Sequence, residues 1–148
     1  VNDAQKLVIA EKIVKKYGAD LTGKVFAIWG LAFKPGTDDM REAPAIYIIN
    51  ELVKRGAKIQ AYDPKAMEEA KMCYLKGVEN IDYVNYKYDA LYNADAMLLL
   101  TEWKEFRSPD FEEIKKQLKS PVIFDGRNQY NIFNLEERGF EYYQIGKN

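Results

Sequence analysis

Three cations stand out because of what precedes them. Lys34 and Arg41 lie in GLAFKPGTDDMREAP (residues 30–44), directly after the apolar run VFAIW, and Arg127 lies in DGRN, directly after VIF. Apolar runs of this kind read as strands of a parallel sheet, and ligands of such sheets bind at the strands' carboxyl ends. Lys34, Arg41 and Arg127 are therefore expected on one rim, beside the start of a helix near Pro44. Two guanidiniums, one ammonium and a helix N-terminus suit a phosphate or diphosphate. A long surface loop with solvated charges explains the same residues equally well on spacing alone. A G-x-G-x-x-G motif from Gly30 would need glycines where Ala32 and Pro35 stand. Side chains, more than backbone, must then carry any anion binding.

Other polar residues allow two readings each. Asp63, after IQAY, suits a ribose hydroxyl, or more simply caps a helix after Pro64. Asp38 and Asp39 could hold a divalent ion with Asp63, or cap their loop and pair with Arg41; the second is simpler. Cys73, in KMCYLKG, reads as a structural thiol rather than a nucleophile. Trp103 and the many tyrosines could stack on a base, but read more simply as core.

The composition narrows the chemistry. The 148 residues contain no His and one Cys, so Ser-His and Cys-His pairs, His-containing zinc sites and internal disulfides are excluded. With 22 Lys+Arg against 23 Asp+Glu, nothing suggests a nucleic-acid or anionic-membrane surface. No apolar run approaches the ~20 residues of a membrane span, and the N-terminus lacks a signal peptide's pattern. A cytoplasmic location is expected, without nucleic-acid or membrane partners. The start at Val1 rather than Met suggests a piece of something longer.

The elements that must position these groups follow from periodicity. Leu7, Ala10, Ile13 or Val14, and Tyr17 form a helical stripe closed by Gly18. Strands are expected at residues 25–29, 59–62, 96–100 and 122–124, with FEYYQI (140–145) as an edge strand. Helices are expected from Pro44 to Gly56 with Ile46, Ile49 and Val53 on one face, from Lys65 to Lys76, and after Ser108-Pro109 as N-cap and N1. Residues 79–93, rich in Tyr and Asn, give no clear pattern. The fold class is α/β: a Rossmann-like, doubly wound, mostly parallel sheet with helices on both faces, preceded by an N-terminal helix.

GLAFKPGTDDMREAP closely resembles the signature of the C-terminal, UDP-binding domain of the UDP-glucose/GDP-mannose dehydrogenase family, closest to its bacterial members acting on UDP-glucose. VNDAQK resembles the end of that family's long central helix, and AYDP, NADAMLLLTEW, FDGRN and the closing IGK follow in the family's order. The resemblance implies that residues 1–18 end a central linker and dimerisation helix and that 19–148 form the UDP-sugar domain. It implies that Phe33 and Lys34 contact the nucleotide sugar, Lys34 on its phosphates, and that Arg127 contacts it too. Arg41 would reach an NAD bound mainly by a separate N-terminal domain. The parent would be a homodimeric, NAD-dependent enzyme oxidising UDP-glucose to UDP-glucuronate through a catalytic Cys, Lys and Asp. Cys73 does not lie in that catalytic motif, so this stretch alone is expected to be inactive, with no catalytic residue of its own and no metal.

Two other classes remain in view. A stand-alone flavodoxin-like or receiver-like regulatory domain would use Asp63 as phosphoacceptor, although it would want a Lys where Asp125-Gly126-Arg127 stands. An oligomerisation module would be built on the N-terminal helix.

Overall fold

The computed structural model describes residues 2–145 and, within the first helix, side chains from Leu7 onward. Val1 and the Gly146-Lys147 of the closing motif lie outside the described residues, as do the side chains of the VNDAQK segment.

Six strands form one sheet: β1 (Val25–Trp29), β2 (Lys58–Tyr62), β3 (Ile81–Tyr83), β4 (Ala96–Leu99), β5 (Val122–Asp125) and β6 (Glu141–Gln144). Their order is β3-β2-β1-β4-β5-β6, and every pair is parallel. The order reverses between β1 and β4, which is where doubly wound sheets open a ligand crevice. The apolar runs make strands because a central parallel strand is covered on both faces: Phe26, Ala27, Ile28, Trp29 and all four residues of β4 are buried. Each large side chain buried there contributes about 1.5–3 kcal/mol relative to exposure.

Alternation along β1 sends side chains to two helical layers. Phe26 meets Tyr17 of α1 (Asn2–Tyr17) edge-on at 5.5 Å, and α1 packs on α2 (Pro44–Lys54). On the other face Trp29 stacks on Phe106 at 4.8 Å and meets Tyr88 at 5.8 Å. These rings sit on two 3₁₀ turns, Lys87–Leu91 and Lys104–Phe106, beside α4 (Phe111–Gln117). No helix among the described residues is long and apolar enough to cross a membrane.

Several local expectations need correction. The buried stripe of α1 is Ile9, Ala10 and Ile13, whereas Leu7 is 47% exposed. In α2 the buried face is Ala45, Ile48, Ile49 and Leu52, rotated from the expected Ile46 and Val53. The α4 cap is not Ser108: Asp110 accepts from the N–H groups of Glu112 and Glu113, both at 3.1 Å, placing Pro109 before the helix. The expected helix from Lys65 is short, α3 (Met67–Glu69), and widens into a π turn over Ala70–Tyr74. The patternless stretch 79–93 holds β3 and the first 3₁₀ turn.

Candidate functional site

The β1–α2 loop leaves the sheet at Gly30, and this residue must be glycine. Its φ is +102°, and a Cβ there would lie 2.5 Å from Thr101 N and Thr101 Cβ. The two loops after β1 and β4 thus touch backbone to side chain, locked further by Thr101 Oγ1 donating to Ala32 O at 2.6 Å. Leu31, Ala32, Met40 and Ala43 are buried, anchoring the loop at both ends. Between the anchors Phe33 N donates to Asp39 O at 2.8 Å, so residues 33–39 project as a closed unit with Phe33 39% exposed and Lys34 exposed at its edge.

Asp63 holds the base of this unit. It is fully buried, and five donors converge on it. Leu31 N, Ala32 N and Trp103 Nε1 donate to Oδ2 at 2.7, 3.0 and 3.1 Å, while Lys65 N and Ala66 N both donate to Oδ1 at 2.8 Å. Asp63 therefore does not cap the helix itself, whose N-cap is Ala66 without a side-chain bond; it closes the turn that leads into α3 and ties in two further loops. The ribose and phosphoacceptor readings both need an outward carboxylate, which Asp63 does not offer. Trp103 is buried by the same contact, not presented to a base.

Lys34 and Arg41 share a neighbourhood, centred on Asp39. Arg41 Nε and Nη2 lie 3.1 and 2.8 Å from Asp39 Oδ1 and Oδ2, and the Arg41 side chain is 78% exposed. Hydrogen bonds from the Arg41 side chain and backbone, with smaller help from the Lys34 charge, lower the Asp39 carboxyl to about 2. Asp39 is thus Arg41's partner, and with Asp63 turned inward the three aspartates do not share an ion. Among the described residues no group of three or more metal-ligating side chains is close enough to hold a metal.

Arg127 shares a small cavity with Pro44 and Ile48 at the start of α2 and with Leu100. Its Nη2 donates to Glu102 Oε2 at 3.1 Å, and its Nε lies 3.0 Å from Oε1 without the alignment of a hydrogen bond. Two cationic groups result, Lys34 with Arg41 and Arg127 with Glu102, and α2 starts at Ala43 and Pro44 without a side-chain cap. Glu102 was missed as a partner. The one available signal was its place three residues after β4.

A second buried carboxylate shapes the Arg127 loop. Asp125 accepts from Arg127 N at 2.9 Å, Tyr130 N at 2.8 Å and the Tyr142 hydroxyl at 2.7 Å. Burial, then that bond to Asp125, push the Tyr142 hydroxyl far above its usual range. Asn128 ties the loop to the end of β6, exchanging bonds with Ile145 N and O at 3.0 and 3.3 Å. Cys73, read as a structural thiol rather than a nucleophile, is free and exposed on the π turn.

Residues 27–132 match the model of the UDP-glucose/GDP-mannose dehydrogenase family, UDP binding domain. The chain is 40% identical over 147 residues to a UDP-glucose 6-dehydrogenase of Rhizobium meliloti and 38% identical over 148 residues to one of Pseudomonas aeruginosa, covering 99% of this chain in each case. It spans 33% of the length of each of these relatives. A UDP-glucose dehydrogenase structure from the archaeon Pyrobaculum islandicum superposes with a TM-score of 0.75 at 25% identity, covering 96% of this chain and 29% of that one.

Proposed function

The chain belongs to the UDP-glucose/GDP-mannose dehydrogenase family as a UDP-binding domain, and on that premise we propose that it holds the nucleotide sugar of a cytoplasmic, NAD-dependent UDP-glucose 6-dehydrogenase. That enzyme oxidises UDP-glucose to UDP-glucuronate. Residues 1–18 would end its central linker and dimerisation helix, and residues 19–148 would form the sugar-nucleotide domain of a homodimer.

The observation that carries this reading is the projecting 33–39 unit on a buried base. A rigid base lets Phe33 lie against the nucleotide sugar and Lys34 meet its diphosphate without further ordering. Arg127, beside the start of α2 and with Glu102 holding its guanidinium, would meet the same diphosphate. The uncapped first turn of α2 adds its dipole.

NAD fits this stretch only as a neighbour. The Leu31 and Ala32 N–H groups, which a dinucleotide's phosphate would need, are spent on Asp63. Arg41 is exposed and suits a contact to a cofactor held mainly by another domain. NAD, when bound, supplies the hydride acceptor. The residues here bind and orient; with no His in the sequence and Cys73 on an exposed turn, they offer no activated nucleophile. Turnover of UDP-glucose by this stretch alone is not expected.

Calorimetric titration of UDP into the chain and into Lys34→Ala tests the reading. Measurable binding that weakens at least about tenfold in the variant is expected for loss of a charge-assisted contact. Equal affinity in both, or no heat in either, counts against a self-sufficient site.

A further inference from the structure

We propose that Asp63 is a positioning residue for nucleotide-sugar binding: its buried carboxylate occupies the place of a dinucleotide phosphate in the β1 turn and thereby sets where Phe33 and Lys34 stand. The proposal rests on the reading that the 33–39 unit meets the nucleotide sugar.

In a doubly wound sheet the first βα turn offers its backbone N–H groups to a ligand phosphate, and an acid at the end of the second strand reads the ribose. Here both parts are present and have joined each other. Asp63 stands one residue beyond β2, and its Oδ2 accepts from Leu31 N at 2.7 Å and Ala32 N at 3.0 Å. A protein carboxylate has taken the ligand anion's role. Trp103 Nε1, at 3.1 Å from the same oxygen, brings in the loop after β4. Lys65 N and Ala66 N, both at 2.8 Å from Oδ1, bring in the turn that leads into α3.

The geometry has two consequences. Phe33 and Lys34 directly follow the two residues that Asp63 clamps, so their placement is transmitted through two backbone bonds. The turn is also closed to an outside phosphate, because its donors are satisfied and the carboxylate would repel the incoming charge. One residue thus both orders the loop for a nucleotide sugar and bars a dinucleotide from this domain's own crevice.

The side-chain chemistry allows a sharp test. Asn in place of Asp63 offers one oxygen where two are needed. Whichever way its amide faces, its NH₂ meets either the Leu31, Ala32 and Trp103 donors or the Lys65 and Ala66 donors. Trp103→Phe removes one donor and leaves the carboxylate. Ile114→Val, a buried α4 position away from the loop, serves as a control for general destabilisation.

UDP would be titrated into the full chain at a temperature where all forms are folded, and amide hydrogen exchange followed at Leu31 and Ala32. Asp63→Asn should weaken UDP binding about tenfold and Trp103→Phe about two- to fivefold. Both should speed exchange at Leu31 and Ala32, and Ile114→Val should leave affinity and those two amides unchanged. A folded Asp63→Asn with wild-type affinity overturns the proposal. Should that variant not fold, unchanged affinity and exchange in Trp103→Phe overturn it instead. A wild-type chain that does not bind UDP removes the underlying functional reading, which is a different failure: exchange at Leu31 and Ala32 then still decides whether Asp63 and Trp103 order the turn.

Discussion

Arg127 and Glu102 face each other across the carboxyl ends of β5 and β4, with Nη2 3.1 Å from Oε2 and Nε 3.0 Å from Oε1. The side chains are only 32% and 24% exposed, so the pair is screened less than a surface ion pair. Glu102 fixes the guanidinium, and it also places a negative charge beside the proposed diphosphate position. Glu102→Gln keeps an acceptor of the same shape and removes that charge. UDP affinity should rise about threefold at low salt, the gain fading above ~0.15 M as the Debye length shortens. Titrations at two ionic strengths check this; weaker binding in the variant at low salt would mean that orientation outweighs charge.

The Asp39–Arg41 fork has its own pH signature. The folded-state carboxyl of Asp39 sits at about 2, against an ordinary 3.8, because Arg41 bonds its ionised form. A depressed acid contributes its stabilisation above the ordinary value, and the contribution disappears as pH falls through the folded-state one. The pair should therefore persist through mild acid and release Arg41 only as pH falls to about 2, its stability contribution fading between 3.8 and that point. Carbon NMR of the Asp39 carboxyl should show that low midpoint, and Arg41→Gln should return it toward 3.8. A midpoint near 3.8 in the wild type would mean the fork is not held in solution.

How much of this the sequence carried depends on range. Strands β1, β4 and β5 were legible because double burial writes a continuous apolar run, and β2, buried only at Ile59 and Ala61, was read from the shorter IQAY. Strand β3 was not: it has three residues at a sheet edge, none fully buried, so no apolar signal marks it. The helix faces were misplaced for a related reason. Leu7 and Ile46 are apolar yet border the surface, and composition cannot choose among adjacent apolar stripes. Lys34, Arg41 and Arg127 were singled out as candidates by their place after strands, which is a local property. Their partners were a mixed case. Asp39 lies two residues from Arg41, and its pairing could be read directly. Glu102 lies 25 residues from Arg127, and Asp63 meets donors 31 and 40 residues away, separations that only the folded sheet brings together.

Two glycines of the β1–α2 loop should respond differently to Ala. Both have positive φ, +102° at Gly30 and +89° at Gly36. At Gly36 an added Cβ meets nothing within 4 Å, so only left-handed strain is incurred, about 1–2 kcal/mol. At Gly30 it would sit 2.5 Å from the Thr101 backbone nitrogen, and either the turn or the 101–103 loop must move. Gly30→Ala should cost more than about 3 kcal/mol in urea unfolding, and its folded fraction should bind UDP poorly because Trp103 and Leu31 shift together. Equal losses for the two variants would contradict the close approach of these loops.

The start of α4 supplies a test independent of any ligand. Sequence pattern favours Ser108 as the cap because Pro109 suits a first helical position, yet Asp110 receives the Glu112 and Glu113 N–H groups. With the helix beginning at Phe111, Ser108 lies outside it. Asp110→Ala should therefore destabilise the chain by about 1 kcal/mol through loss of the cap. Ser108→Ala should change stability by less than about 0.5 kcal/mol, as at an ordinary surface position. Urea midpoints of the two variants at neutral pH decide the matter, and a larger loss at Ser108 would move the helix start back to Pro109.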